Sequence, residues 1–244
     1  MRSKFLNGDF LAGQEDAAYQ VIPSVWIKLA HQRYIDHQRD PAVKMTTLGV
    51  DVAQGGRAET VLAPLYGNRF EELIKRKGVD TTNGPAVAAL VVEHMRDHCQ
   101  VNIDLTGGWG GSARDHLQAQ RIDVVGVVFG AGSNQRTKDN GLGFVNMRSE
   151  LLWRFREALD SVTGDDVQLP PDRRLAAQLA APTWKLRGDQ ILIESKDDIK
   201  ARLGSSTDDA DAVILAWYQR EMAIARRRPR PVVQAYNRPD AWMR

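Results

Sequence analysis

The chain has 244 residues, of which 43% are hydrophobic and 26% charged, and its formal net charge is +2. This apolar content can bury the core of one large domain, so a separate second domain is not required. The single cysteine, Cys99, excludes an internal disulfide framework. Apolar runs fall short of the ~18 residues of a membrane span, and no signal peptide is evident, so we expect a soluble intracellular protein without a membrane partner.

Residues 1–44 predict a helical lead-in. Ser24 suits the N-cap of a helix. The apolar face of that helix would consist of Val25, Trp26, Leu29 and Ala30. The segment is polar elsewhere and needs another part of the molecule to pack against.

The next stretch predicts a β-hairpin. Residues 46–52 and 59–66 are β-prone, and residues 54–57 favour the turn between them. Asp51 lies at the end of the first strand. An acid in a β-prone apolar stretch is costly to bury unless it is paired, so a purely structural role explains Asp51 poorly.

Alternating helices and strands follow. Asn83 and Pro85 predict the start of a helix that runs to about Met95. The elements expected after it are a strand over 100–104 that ends in Asp104, a helix over 113–120, and a strand over 124–129 whose apolar run is typical of burial on both faces. This alternation predicts a largely parallel α/β sheet with one antiparallel hairpin.

The second half of the chain predicts further helices and a short hairpin. One helix would carry Leu151, Leu152, Phe155 and Leu159, and another would begin with Leu175 and Leu179. Strands over 183–186 and 190–193 would form the hairpin. A last helix over 208–225 would direct inward Val213, Leu215, Ala216 and Met222.

The C-terminal end is basic. From Arg220 to Arg244 there are seven arginines and only two acidic residues. Residues 226–244 therefore predict a flexible tail, which suits either a polyanionic partner or a plain solvated end. The predicted organisation is a lead-in (1–44), a main α/β domain (45–225) and the tail (226–244).

Three acids follow or open apolar stretches far apart in the chain: Asp51, Asp104 and Asp208. Strand-borne carboxylates that meet in one crevice predict a site for hard divalent cations such as Mg²⁺. Asp211 lies three residues after Asp208 on the same helical face, which makes it an auxiliary candidate, while Asp209 should point elsewhere. Taken singly, Asp208 also suits a helix cap and Asp104 a turn.

The glycine-rich segment 107–111 does not predict an ATP site. No G-x-x-x-x-G-K-[ST] motif occurs in the chain, and no lysine follows Gly111. Gly107 and Gly108 would let the backbone approach the metal crevice or a DNA strand, or would simply form a flexible loop.

Together these motifs resemble the nuclease domain of the large terminase subunit of tailed bacteriophages, which has an RNase H-like fold. The resemblance covers most of the chain. The segments that carry it are 5–10 with 21–26, 48–60, 103–108, 144–153, 194–202 and 206–212. It implies a mixed sheet flanked by helices. Two departures are Ala58, where the family often has an acid, and Thr207, where proline is common.

The resemblance implies a metal-dependent endonuclease that cuts concatemeric double-stranded viral DNA during genome packaging. Carried over by position, the catalytic metal-binding acids are Asp51, Asp104 and Asp208, with Asp211 close by. The implied cofactors are two Mg²⁺ or Mn²⁺ ions. The implied partners are double-stranded DNA, a packaging ATPase motor domain, the portal and the small terminase subunit, in the cytoplasm of an infected bacterial host.

Basic side chains near these motifs are candidates for contacts with DNA phosphates, although solvated surface charge is the commoner role for such residues. The candidates are Arg136, Lys138, Lys196 and Lys200. Arg148 and Glu150 are expected to form a structural ion pair on their helix. Two other functions stay open: another RNase H-like nuclease, such as a junction resolvase, and a non-catalytic docking module for the motor or portal.

Overall fold

The computed structural model of the chain describes residues 16–53 and 58–227. The helices are α1 (Ser24–Asp36), α2 (Gly84–His94), α3 (Trp109–Ala119), α4 (Met147–Leu159), α5 (Arg173–Ala180), α6 (Lys196–Leu203), α7 (Asp208–Trp217) and α8 (Arg220–Arg227). The strands are β1 (Met45–Asp51), β2 (Glu59–Tyr66), β3 (Arg69–Phe70), β4 (Ile74–Lys77), β5 (Gln100–Asp104), β6 (Val124–Val127), β7 (Gly143–Phe144), β8 (Trp184–Arg187) and β9 (Gln190–Ile193). The predicted motif at 5–10, the turn at 54–57 and the tail beyond residue 227 lie outside the described residues.

The main sheet is mixed, as the sequence predicts. Its strand order is β3-β2-β1-β5-β6, and β4 also pairs with β2. Strands β1 and β2 form the predicted antiparallel hairpin, whereas β1, β5 and β6 are parallel. A smaller sheet has the order β7-β9-β8. It contains the second predicted hairpin.

The two faces of the main sheet are covered by different helices. Leu48 and Val50 of β1 pack in one core with Val87 of α2 and Leu117 of α3. Alternation along the strand directs Thr47, Gly49 and Asp51 to the opposite face. That face carries α7 and the larger core, to which α1, α4 and α5 also contribute.

Helix α7 lies directly on β1 because Gly49 has no side chain. A Cβ atom on Gly49 would come within 2.1 Å of the Ala212 carbonyl oxygen and 2.4 Å of the Ala216 nitrogen. The end of α7 is held by the sheet. The Thr47 hydroxyl donates to the Ala216 carbonyl at 2.5 Å, and the Asn102 amide donates to the Leu215 carbonyl at 2.7 Å. The last carbonyls of a helix lack full partners within it, and these two bonds tie that end of α7 to β1 and β5.

Two predicted apolar faces are wrong in detail. In α1 the buried residues include Ile27, Ala30 and His31, whereas Val25 is 55% and Leu29 39% exposed. The true buried stripe includes a histidine, which an apolar count does not find. Strand β6 is not buried on both faces, because it is the edge of the sheet and most of it is only partly covered.

The predicted last helix is two helices. Helix α7 ends at Trp217, and Gln219 adopts a left-handed conformation (φ 55°) before α8 begins. Met222, predicted to point inward, is half exposed. Within the described ranges, no helix has both the length and the apolar character needed to cross a membrane. The domain boundaries at 44/45 and 225/226 stay predictions.

The α7–β1 contact leads to a first prediction. Gly49→Ala should lower the free energy of unfolding by about 1–3 kcal/mol, because the added methyl group forces α7 away from the strand. Urea denaturation measures this change. Gly132→Ala is the matched control: its Cβ meets nothing within 4 Å, so its effect should stay within about 0.5 kcal/mol. Equal effects of the two variants would contradict the proposed close packing.

Candidate functional site

The strand ends place two of the predicted acids side by side. Val50 pairs with Ile103 in the parallel register of β1 and β5, so Asp51 and Asp104 occupy equivalent positions on neighbouring strands. Strand alternation places Asp51 with Gly49, and Asp104 with Asn102, on the face that α7 covers, and both acids line the same cavity. The sequence prediction required that these two acids share one face, and they do.

Helix α7 carries the third and fourth acids, Asp208 and Asp211, and Lys196 joins both of them to Asp51. The Nζ of Lys196 lies 3.1 Å from Asp51 Oδ2, 3.0 Å from Asp208 Oδ1 and 3.0 Å from Asp211 Oδ2. Lys196 is the first residue of α6, a helix that the sequence analysis did not assign. Its signals were present, because Ser195 caps the N-terminus and Gly204 (φ 73°) ends the helix.

Burial and mutual repulsion act on the ionisation of the strand acids. Burial is the largest cause that raises the pKa of Asp51 well above its usual value, and the neighbouring Asp211, Asp208 and Asp104 raise it further. Lys196 opposes this rise. Burial also raises the pKa of Asp104, although bonds from Thr106 partly oppose the effect. One of these bonds is donated by the Thr106 N–H to Asp104 Oδ1 at 2.7 Å.

Lys196 is the counter-ion of the cluster. Burial lowers its pKa, but the carboxylates of Asp211, Asp51 and Asp208 outweigh burial, so the net shift is upward. The sequence analysis placed Lys196 as a phosphate contact or a solvated charge. Its ammonium group lies among three carboxylates and offsets their mutual repulsion.

Asp211 is engaged from both sides. Its Oδ1 accepts from Arg148 Nη1 at 2.9 Å, and its Oδ2 accepts from the Thr207 hydroxyl at 2.9 Å as well as from Lys196. Burial raises the pKa of Asp211, but Arg148 and Lys196 outweigh it and the net shift is downward. The expected Arg148–Glu150 pair is wrong, because Glu150 instead accepts from Ser133 at 2.6 Å and lies 3.6 Å from Arg154.

A cavity of about 1220 Å³ opens above the acids. The hairpin of β8 and β9 forms one wall, and the basic side chains that line the cavity are Arg148, Arg174, Lys185, Lys196 and Lys200. Lys200 was predicted from sequence. Arg174 and Lys185 were missed, because no local pattern links them to the acids.

Two other candidates for DNA contacts lie elsewhere. Arg136 and Lys138 do not line this cavity. Arg136 Nε donates to the Asn140 carbonyl at 3.0 Å, and Lys138 Nζ donates to the Thr163 carbonyl at 3.1 Å. The first bond lies within one loop, and the second connects that loop to the segment that follows α4. The structure therefore does not bring them to the acids, and contact with DNA stays a prediction.

The donor set suits a hard cation. The acids offer carboxylate oxygens, which are the ligands that Mg²⁺ and Mn²⁺ prefer. In the described part of the chain, however, no group of three or more His, Cys, Asp or Glu side chains has the geometry of a metal shell. The carboxylate oxygens lie 3.0–3.1 Å from the Lys196 nitrogen, a longer distance than a Mg–O bond of about 2.1 Å.

Neither a family model nor a curated protein matches the sequence. Solved structures do match. The nuclease domain of the large terminase subunit of bacterial virus Sf6 superposes with a TM-score of 0.59 over 81% of this chain and 97% of that chain, at 17% identity. A mutant of that domain with manganese gives 0.59 over 81% and 98%, at 15% identity.

The large terminase nuclease of thermophilic phage G20c, with bound magnesium, matches with a TM-score of 0.51 over 75% of this chain and 85% of that chain, at 15% identity. The chain therefore has the mixed α/β fold of large terminase nuclease domains. The fold and the structural resemblance predicted from the sequence motifs are confirmed. At these identities the match establishes the fold alone.

The lysine-centred cluster generates a second prediction. Lys196→Met should lower the free energy of unfolding at neutral pH by about 2 kcal/mol, because it leaves crowded carboxylates without their counter-ion. Added Mn²⁺ should stabilise this variant more than the wild type. Thermal unfolding with and without Mn²⁺ measures both effects. Lys200→Met serves as the control, and an equal response in both variants would contradict the central position of Lys196.

Proposed function

We propose that this chain is a divalent-metal-dependent DNA endonuclease that cuts concatemeric double-stranded viral DNA during genome packaging. One observation carries the proposal: Asp51 and Asp104 end neighbouring parallel strands, and Asp208 meets them from α7 at the floor of one cavity. The terminase-like fold supports the same conclusion. Structures of such domains with magnesium and manganese support the choice of metal.

The residues have distinct roles in this proposal. Asp51, Asp104 and Asp208 would hold two Mg²⁺ or Mn²⁺ ions. When bound, such ions activate a water for attack on phosphorus and stabilise the departing oxygen. Both carboxylate oxygens of Asp211 already accept bonds, so we assign it to holding Arg148 and Lys196 rather than to direct ligation.

Lys196 would keep the carboxylates together before the metal ions enter. Its ammonium group offsets the repulsion among Asp51, Asp208 and Asp211 and so holds the three carboxylates close together. Because the lysine side chain is flexible and one third exposed, its head group can turn toward a phosphate in the cavity.

The substrate would be held mainly through its backbone. The basic residues lining the cavity outside the acid cluster are suited to phosphate oxygens, which carry no base information. Cutting should therefore show little sequence preference, and binding should weaken steeply with salt. A packaging ATPase motor, the portal and the small terminase subunit are the partners that this activity requires.

Supercoiled plasmid with Mn²⁺ or Mg²⁺ tests the activity. We expect nicking and linearisation by the wild type. Selective cutting of four-way junctions would instead favour a resolvase. Intact plasmid at high protein concentration, with an Asp104→Ala variant behaving identically, would favour a non-catalytic docking module.

A third prediction concerns the strand acids. Asp51→Asn and Asp104→Asn should each abolish nicking while the thermal midpoint changes little. Both carboxyl groups have a raised pKa in the fold, so their ionisation destabilises the folded state at neutral pH and a neutral amide should not. Plasmid nicking and thermal unfolding are measured on the same samples. Wild-type cleavage by either variant would remove that residue from the metal site.

A fourth prediction separates the helix acids. Asp208→Asn should abolish nicking with little loss of stability, because the ion-pair partner of Asp208 among the described residues is Lys196, which keeps Asp51 and Asp211. Asp211→Asn should lower the free energy of unfolding by about 3–5 kcal/mol, because Arg148 would be left as a buried charge without its partner. Urea denaturation and nicking distinguish the two. Equal, near-normal activity in both variants would place the third ligand elsewhere.

A further inference from the structure

Asp209 is a wholly buried carboxylate that the proposed reaction does not use. It lies between Asp208 and Asp211 in sequence, yet its side chain points away from Lys196. Its carboxylate accepts from Arg174 Nε at 2.8 Å and Nη2 at 2.5 Å, and from Lys75 Nζ at 2.7 Å. Two cations from other elements therefore hold the first turn of α7.

The backbone of the same turn is held from outside as well. The first N–H groups of a helix have no carbonyl partner within the helix. The N-cap residue Thr207 makes no side-chain capping bond. Instead Gln178 Oε1, buried on α5, accepts from the N–H groups of Asp209 at 2.9 Å and Ala210 at 3.1 Å. Helix α5 thus replaces the missing cap.

The two cations that hold Asp209 also contact the β-hairpin that carries Asp51. Arg174 also bonds to Glu59 at the start of β2. Lys75 lies on β4, which pairs with β2 and places Lys75 opposite Val61. Val61 in turn pairs with Asp51 in β1. The chain of contacts therefore connects the turn that carries Asp208 to the strand that carries Asp51.

We propose that Asp209, Arg174, Lys75 and Gln178 form a positioning network that sets Asp208 against Asp51 and so tunes the affinity of the site for divalent cations. The inference rests on the proposed function. Its physical basis is that metal ligands need support from outside the ligand set, and that loss of such partners costs about 10- to 100-fold in metal affinity or activity.

The test compares two buried carboxylates. Asp209→Asn keeps the shape but removes the charge of the network. Glu150→Gln does the same to a buried acid of α4 that does not line the cavity. Mn²⁺ affinity is measured by calorimetry and by the Mn²⁺ concentration for half-maximal plasmid nicking. Hydrogen exchange of residues 208–211 is followed in parallel, without metal.

We expect Asp209→Asn to weaken Mn²⁺ affinity about 10- to 100-fold and to speed exchange in the first turn of α7. Glu150→Gln should leave both unchanged. If Asp209→Asn does not fold, Arg174→Lys gives the same comparison, because lysine keeps the charge but loses the two-pronged bond. If the wild type binds Mn²⁺ and the network variant binds it with the same affinity, the positioning role is overturned. The proposed endonuclease function would not be affected by that result.

The behaviour of the wild type itself tests the proposed function. Should the wild type neither bind Mn²⁺ nor nick DNA, the endonuclease proposal fails and the tuning of cation affinity fails with it. Hydrogen exchange then still decides the structural part: faster exchange in the Asp209→Asn variant supports the anchoring of α7, and unchanged exchange overturns it.

Discussion

The close contact between α7 and β1 is the constraint on which the candidate site depends. Gly49 lets the helix backbone touch the strand, and Thr47 and Asn102 fix the helix end by hydrogen bonds to its carbonyls. Because Asp51 follows Gly49 on the same face, a helix packed this tightly brings its first turn to the strand end. The close approach of Asp208 to Asp51, 157 positions earlier, thus depends on the absence of a side chain at Gly49.

Electrostatics explains why the acids can stay together. Four carboxylates at one strand edge would repel strongly in a buried environment, and two cations, Lys196 and Arg148, reduce this repulsion. Arg148 and Thr207 fix Asp211, whereas Lys196 bridges the helix and the strand. The cluster therefore has one acid paired with an arginine, Asp211, and two others, Asp51 and Asp208, whose charge is offset by the ammonium group of Lys196 alone among these two cations. In the proposed function, divalent cations would take over this charge compensation.

The sequence predicted the positions of helices and strands better than it predicted which of their faces are buried. The hairpin of β1 and β2, strand β5 and helix α4 follow from local patterns and are confirmed. Patterns failed where neighbours decide burial: β6 is apolar yet lies at the sheet edge, and α1 buries His31 while it exposes Val25. Helix α7 also ends before the predicted limit, because Tyr218 is extended and Gln219 is left-handed before α8 begins.

By itself the sequence determined which acids end the strands and open the helix, because strand ends and helix starts have local signals. The terminase-like fold was expected from the resemblance of the motifs to a known family, not from local signals. Only the tertiary structure decided the partners: Lys196 among the acids, Arg148 on Asp211 rather than Glu150, and Asp209 in a separate network with Arg174. The reason is physical, since an ion pair between residues tens of positions apart depends on how helices pack on the sheet, and no local pattern encodes that packing.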